Sequence, residues 1–144
     1  MTSIPPYHSD NIFAKLLRGE APCVKIFEDD EVLAFMDIFP QTDGHCLVVP
    51  KRARAASLLD APEGDLKTLI VGVQKLARAV ESALAPDGLR IAQFNGAEAG
   101  QTVFHLHFHV IPVYAGKPMR AHAGGAPADT DKLKALAARI AAAL

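Results

Sequence analysis

The chain has 144 residues, half of them hydrophobic and 22% charged, with 16 acidic against 15 basic side chains. That size and balance fit one compact domain able to bury roughly two-thirds of its unfolded surface, and they exclude global disorder. The near-cancelled charge leaves no general field for a nucleic-acid backbone or an anionic membrane, so any phosphate binding has to be local.

The start, Met1-Thr2-Ser3-Ile4-Pro5-Pro6, has neither a positive n-region nor an apolar h-region, and no run approaches the ~20 apolar residues of a membrane span. A cytoplasmic protein is expected. Ser9 and Asp10 are N-cap candidates for a short helix carrying Ile12, Phe13, Leu16 and Leu17, stopped by Gly19. Val24 to Glu28 and Val32 to Met36 read as a hairpin around Asp29-Asp30, and Cys46 to Val49 as a strand closed by Pro50. Cys23 and Cys46 form no C-x-x-C pair and read as small buried apolar residues. Apolar positions from Gly64 to Leu84 recur at helical spacing and predict the longest helix, ending before Pro86-Asp87-Gly88.

Leu89 to Phe94 reads as a further strand, Asn95 to Gly100 as a glycine-containing loop, and Thr102 to Ile111 as a strand ended by Pro112. Val113 to Ala128 is aperiodic and Gly/Pro/Ala-rich, a surface loop, and Asp129 or Thr130 caps a last helix through Leu144. No internal repeat is visible. The order predicts an α+β fold with an antiparallel sheet covered by helices.

Within the Thr102 to Ile111 run, His105, His107 and His109 stand at i, i+2 and i+4, so strand alternation puts three imidazoles on one face and Leu106, Phe108 and Val110 on the other. Such a face can donate, accept or attack near neutral pH. His8 and His122 read instead as ordinary surface or hydrogen-bonded histidines. A His-x-His pair with His45 as a third ligand is the competing zinc reading. The outer two triplet positions lie ~13 Å apart along a strand, which disfavours convergence of all three on one ion. The loop from Asn95 through Gly100, Gln101 and Thr102 supplies glycines and a hydroxyl that can turn donors toward an anion.

The run His105-Leu106-His107-Phe108-His109-Val110-Ile111 resembles the His-φ-His-φ-His-φ-φ signature, with φ apolar, of the histidine triad family. The resemblance extends to Asn11-Ile12-Phe13, Phe27-Glu28-Asp29-Asp30, Ala34 to Ile38, Pro40-Gln41, Gly44 to Lys51 and Gly100-Gln101-Thr102, spanning most of residues 10 to 112. It implies a single domain over 1–144, with its core at about 10–112 and a C-terminal loop and helix at about 113–144. The implied fold is a five-stranded antiparallel sheet with a long crossing helix.

The resemblance further implies that His107 attacks the α-phosphorus of a purine nucleotide and becomes a nucleotidyl-histidine. The carbonyl of His105 would orient that nucleophile, His109 would contact phosphate and leaving group, and His45 would support them. Asp37 would take the ribose hydroxyls, and Ile12, Phe13, Leu16, Phe35 and Ile38 the base. Asn95, Gly100, Gln101 and Thr102 would lie at the phosphate and leaving group. No metal or other cofactor is implied, and the partners are the nucleotide and a second copy in a symmetric homodimer, with the Leu89 to Phe94 strand and the long helix at the two-fold axis.

Phe94 and Met36 depart from the Asn and His that members of the family carry there, Thr102 replaces a common Ser, and no Trp is present. The expected reaction is hydrolysis of nucleoside phosphoramidates or similarly activated nucleotides. Dinucleoside polyphosphate hydrolysis and a non-catalytic nucleotide-binding regulator are the alternatives.

Overall fold

The computed structural model describes residues 4–144; Met1, Thr2 and Ser3, on which the reading of the N-terminus and the start of the expected 1–144 domain fall, lie outside the described residues. The first helix, α1 (Ile12–Leu17), is capped by Asn11, whose side chain accepts from the Ala14 amide at 2.9 Å. Asn11, not Ser9 or Asp10, sits beside the first turn and reaches one of its unpaired donors.

Strands β1 (Lys25–Glu28) and β2 (Val32–Met36) pair antiparallel. The Asp29 carboxylate closes their turn by accepting the Glu31 and Val32 amides, each at 2.8 Å. Strand β3 (Cys46–Pro50), helix α2 (Glu63–Leu84), strand β4 (Gly88–Ala92), strand β5 (Phe108–Val113) and helix α3 (Thr130–Ala141) follow. Every pairing is antiparallel, in the spatial order β1-β2-β3-β5-β4. The expected α+β sheet of five antiparallel strands is therefore the one observed.

All residues of β2 and β3 are buried, so both faces of the central strands are covered. Alternation divides them. Ala34, Met36, Cys46 and Val48 face Leu69, Val73, Leu76 and Val80 of α2, with Leu133, Ala137 and Ile140 of α3 in the same core. Leu33, Phe35, Leu47 and Val49 form a second apolar layer with Phe13 of α1. Cys46 is a buried apolar residue as expected, whereas Cys23 is only half-buried.

The histidine-bearing segment departs from expectation at both ends. Strand pairing begins only at Phe108, so His105 and His107 precede it, and it runs through Pro112 to Val113. The register Cys46↔Val110, Leu47↔His109 and Val48↔Phe108, carried two residues further, sets Leu106 opposite Pro50. Pro50 has no N–H to offer the ladder. The Leu106 carbonyl therefore has no donor across the ladder, and the Leu106 amide donates outside the sheet, to the Ala55 carbonyl at 2.8 Å. At the other end Pro112 falls opposite Gly44, beyond β3, where its missing donor breaks no ladder bond.

Gly44 has φ +98°, and a Cβ there would lie 2.3 Å from Leu84 Cδ1 and 3.1 Å from Pro112 Cγ. The backbone conformation favours glycine, and a side chain there would also have to displace the Leu84 tip and press on Pro112. Gly44→Ala is expected to destabilise the protein by about 2 kcal/mol or more, read as a lowered denaturation midpoint; an unchanged midpoint would contradict this close approach.

Candidate active site

A cavity of about 550 Å³ opens on the sheet face that carries Phe35 and Leu47, a size suited to a nucleotide-scale ligand. Ile12, Phe13 and Leu16 of α1 form one wall, and Phe35, Asp37 and Ile38 at the end of β2 form another. Thr102, His107 and His109 line it as well.

The His107 ring is buried and fixed. Its Nδ1–H donates to the carbonyl of His105 at 2.6 Å, and the edge of Phe13 packs against it with ring centroids 4.9 Å apart. A neutral ring that donates through Nδ1 keeps its lone pair on Nε2. Burial lowers the His107 pKa first of all, against the raising effects of the His105 carbonyl and the Asp37 carboxylate, so the lone pair is kept free of a proton. His105 itself lies behind the cavity, with the Tyr7 hydroxyl 3.2 Å from its Nδ1.

His45 and His109 form a second directed arrangement. The Gln41 amide donates to His45 Nδ1 at 3.0 Å, which leaves the hydrogen of His45 on Nε2. That Nε2 lies 2.9 Å from His109 Nδ1 and 3.3 Å from Asp37 Oδ2. His109 therefore accepts at Nδ1 and carries its own hydrogen on Nε2, which has no protein partner among the described residues. Burial is the main force on both rings and pushes the pKa of His45 down to about 3 and that of His109 down to about 2. Asp37 and His45 are thus not an ion pair at neutral pH. Burial raises the Asp37 pKa, opposed by the Phe39 amide, which donates to Oδ1 at 2.8 Å.

Asp37, His45 and His109 also offer ligand atoms within 4.8 Å of one another, a set whose donor types suit a divalent ion such as zinc. An ion held by His45 Nε2 and His109 Nδ1 would replace the hydrogen bond between them.

A scan against known families matches a HIT domain model over residues 18–116. The chain belongs to the HIT family. A Hit-like protein from Bartonella henselae, described as involved in cell-cycle regulation, is 47% identical; its structure superposes with a TM-score of 0.88, covering 96% of this chain and 99% of that one. A zinc-bound histidine triad protein from Mycobacterium smegmatis is 34% identical, with a TM-score of 0.80 and coverage of 93% and 92%. An adenylylsulfatase of Arabidopsis thaliana is 34% identical over 120 residues, 79% of this chain and 60% of that protein.

Within this HIT domain three expected contacts do not line the cavity. Asn95 Oδ1 accepts from the Leu58 amide and Gln93 Nε2. Gln101 is buried, accepting the Gly96 amide and donating to the carbonyls of Ala56 and Val103, so its amide braces the loop. Gly100 presents its carbonyl to His122 Nε2 at 2.8 Å. His122 itself does line the cavity, as do Cys23, Met36 and Val103. The 113–128 stretch is therefore a wall of the site, not only a surface loop. Its single histidine, among Ala and Gly residues, was the one chemical signal in that stretch.

In the unfolded chain a histidine titrates near 6.5, whereas burial holds His45, His105 and His109 at about 3, about 4 and about 2. As pH falls the unfolded chain takes up these protons first. Stability present above about 6.5 is therefore lost progressively as pH falls, down to about 4 for His105, about 3 for His45 and about 2 for His109, at up to about 1.4 kcal/mol per pH unit for each ring. Asp37, with its pKa raised, binds its proton more tightly in the fold and opposes the loss once pH nears its own range. Denaturation midpoints measured from pH 7 to 4 should fall, and His109→Gln should flatten the slope by one proton; a level profile would contradict the neutral buried cluster.

Proposed function

We propose that this chain is a nucleotidyl hydrolase or transferase that cleaves purine nucleoside phosphoramidates or related activated nucleotides through a covalent nucleotidyl-His107. The observation that carries this reading is the 2.6 Å bond from His107 Nδ1 to the His105 carbonyl, which leaves Nε2 as a neutral nucleophile on the cavity. The Arabidopsis relative named an adenylylsulfatase supports activated adenylyl groups as the substrate class.

In the first step the Nε2 lone pair forms a bond to the α-phosphorus while the bond to the leaving group breaks, its electron pair departing with that group. Water then adds to the same phosphorus and loses a proton to solvent, the electron pair of the breaking phosphorus–Nε2 bond returns to Nε2, and the nucleoside monophosphate is released with His107 neutral again. His109 Nε2–H and the Thr102 hydroxyl stabilise the phosphoryl oxygens, as preorganised donors do best in a dry site. Asp37 binds the ribose hydroxyls, and Ile12, Phe13, Leu16, Phe35 and Ile38 enclose the base.

No metal is assigned a step in this mechanism. The second reading, favoured by the Asp37, His45 and His109 set and by the zinc in the Mycobacterium smegmatis relative, is a zinc site on those three side chains. Turnover that survives EDTA supports the metal-independent route, whereas stoichiometric zinc whose removal abolishes activity supports the other.

The same reading takes residues 1–144 as one cytoplasmic catalytic domain acting as a homodimer. The free β4 edge and the exposed Ile70, Val71 and Ile91 support a two-fold contact. None of the helices among the described residues is long and apolar enough to cross a membrane. Light scattering at low micromolar concentration should give about twice the 15.3 kDa chain mass; a fully active monomer would refute the dimer as a requirement.

His107→Ala should abolish turnover of a fluorogenic adenosine phosphoramidate while retaining AMP binding, and wild-type protein should yield a trapped phosphorus–nitrogen adduct on His107. Unchanged turnover in the variant would remove His107 as the nucleophile.

A further inference from the structure

Two buried ring nitrogens on the cavity have no hydrogen-bond partner among the described residues, His109 Nε2 and His122 Nδ1. Their rings lie 5.3 Å apart, and the Phe94 ring packs against both at the same separation. Polar atoms buried in this way are ordinarily satisfied by something, and on a cavity wall a bound molecule can do so. His107 lies on the other side of His109, with ring centroids 5.0 Å apart. The rings thus run His107, His109, His122 along one wall.

His122 is held in place by its own segment. The Arg120 amide donates to the Gln41 carbonyl and the Ala128 amide to the Ile38 carbonyl, each at 2.8 Å, so residues 120–128 are fastened at both ends to the turn that follows β2. Between these ties, His122 Nε2 meets the Gly100 carbonyl at 2.8 Å. A carbonyl only accepts, so Nε2 carries the hydrogen, and in the imidazole tautomer this contact selects Nδ1 is the acceptor. His109 has the opposite polarity, because His45 donates to its Nδ1 and leaves the hydrogen on Nε2. One donor and one acceptor therefore stand side by side.

A nucleoside phosphoramidate protonated on nitrogen is the complement of this pair, with non-bridging oxygens that accept and a leaving nitrogen that donates. The leaving oxygen of an anhydride offers lone pairs only, and these would oppose the lone pair of Nδ1. We propose that His122 is a specificity-determining residue that accepts a hydrogen bond from the N–H of a leaving amine and so selects phosphorus–nitrogen over phosphorus–oxygen bonds. The proposal rests on the nucleotidyl-transfer reading above. The substrate nitrogen brings its own proton: as His107 Nε2 bonds to phosphorus, the pair of the breaking phosphorus–nitrogen bond returns to that nitrogen and a neutral amine leaves. His122 gains and loses no proton in this step.

The test compares wild type, His122→Leu and His122→Gln on adenosine 5′-phosphoramidate and adenosine 5′-phosphosulfate, which share the adenylyl group and differ in the leaving atom. The readout is the ratio of the two kcat/KM values. Leucine removes the acceptor and should lower the phosphoramidate preference about tenfold. Glutamine can keep the Gly100 contact through its amide N–H and accept through its oxygen, and it should restore most of the preference. A ratio unchanged in His122→Leu, or a wild-type preference for the phosphosulfate, overturns the role of His122 and leaves nucleotidyl transfer standing. Wild-type protein that turns over neither substrate and forms no His107 adduct overturns the hydrolase reading and this inference with it.

Discussion

The chemistry of the site depends on the burial of imidazoles in directed hydrogen bonds. Water around His45, His105 and His109 would let each ring choose its tautomer and take protons near pH 6.5. Burial holds these rings neutral, and for His45 and His109 a chain of hydrogen bonds decides which nitrogen donates and which accepts. A backbone amide, that of Gln41, starts the order from which His45 and then His109 take their hydrogens, and a backbone carbonyl, that of His105, does the same for His107. Backbone groups cannot titrate, so the polarity of the site is anchored to the fold and not to the solvent.

The sheet supplies the geometry this order needs. The β3–β5 register sets Leu47 beside His109, and the turn after β2 brings His45 back against Asp37, closed by the Asp37 amide on the His45 carbonyl at 3.1 Å. Where β5 would otherwise continue toward Thr102, Pro50 has no N–H for the Leu106 carbonyl and the pairing with β3 is over; in the irregular segment before β5 the His105 carbonyl makes the contact that aims His107. A missing donor is a fault in a central strand; here it falls where an irregular turn is useful.

Much of this was legible in the sequence because it is written in short range. Periodicity located α2 from Gly64 to Leu84 against an observed Glu63–Leu84, and the β2 and β3 segments were placed to within a residue. The alternating histidines stood out without any partner being known. What was not legible depends on pairing across the chain. Nothing near His105 shows that Pro50 lies across from Leu106. Nothing near His122 shows that Gly100 lies beneath it, nor does the Asn95 side chain betray its commitment to the Leu58 amide. The loop glutamine, Gln101, looked like a phosphate contact because its polarity is visible and its three backbone partners are not.

Coverage of β2 and β3 on both faces has a consequence for how this protein can change over generations. Floor and foundation alternate along the same strands: Phe35 and Leu47 border the ligand space, while Ala34, Cys46 and Val48 belong to the helix-backed core and Met36, at the end of β2, touches both. Odd and even positions therefore form nearly separate inheritances. Phe35 and Leu47 are themselves buried, so replacements there answer to packing as well as to the ligand, whereas a one-residue insertion or deletion in either strand would exchange the two sets wholesale. Lineages built on this sheet can exchange side chains one at a time within the limits of packing, and are held far more tightly against changes in length.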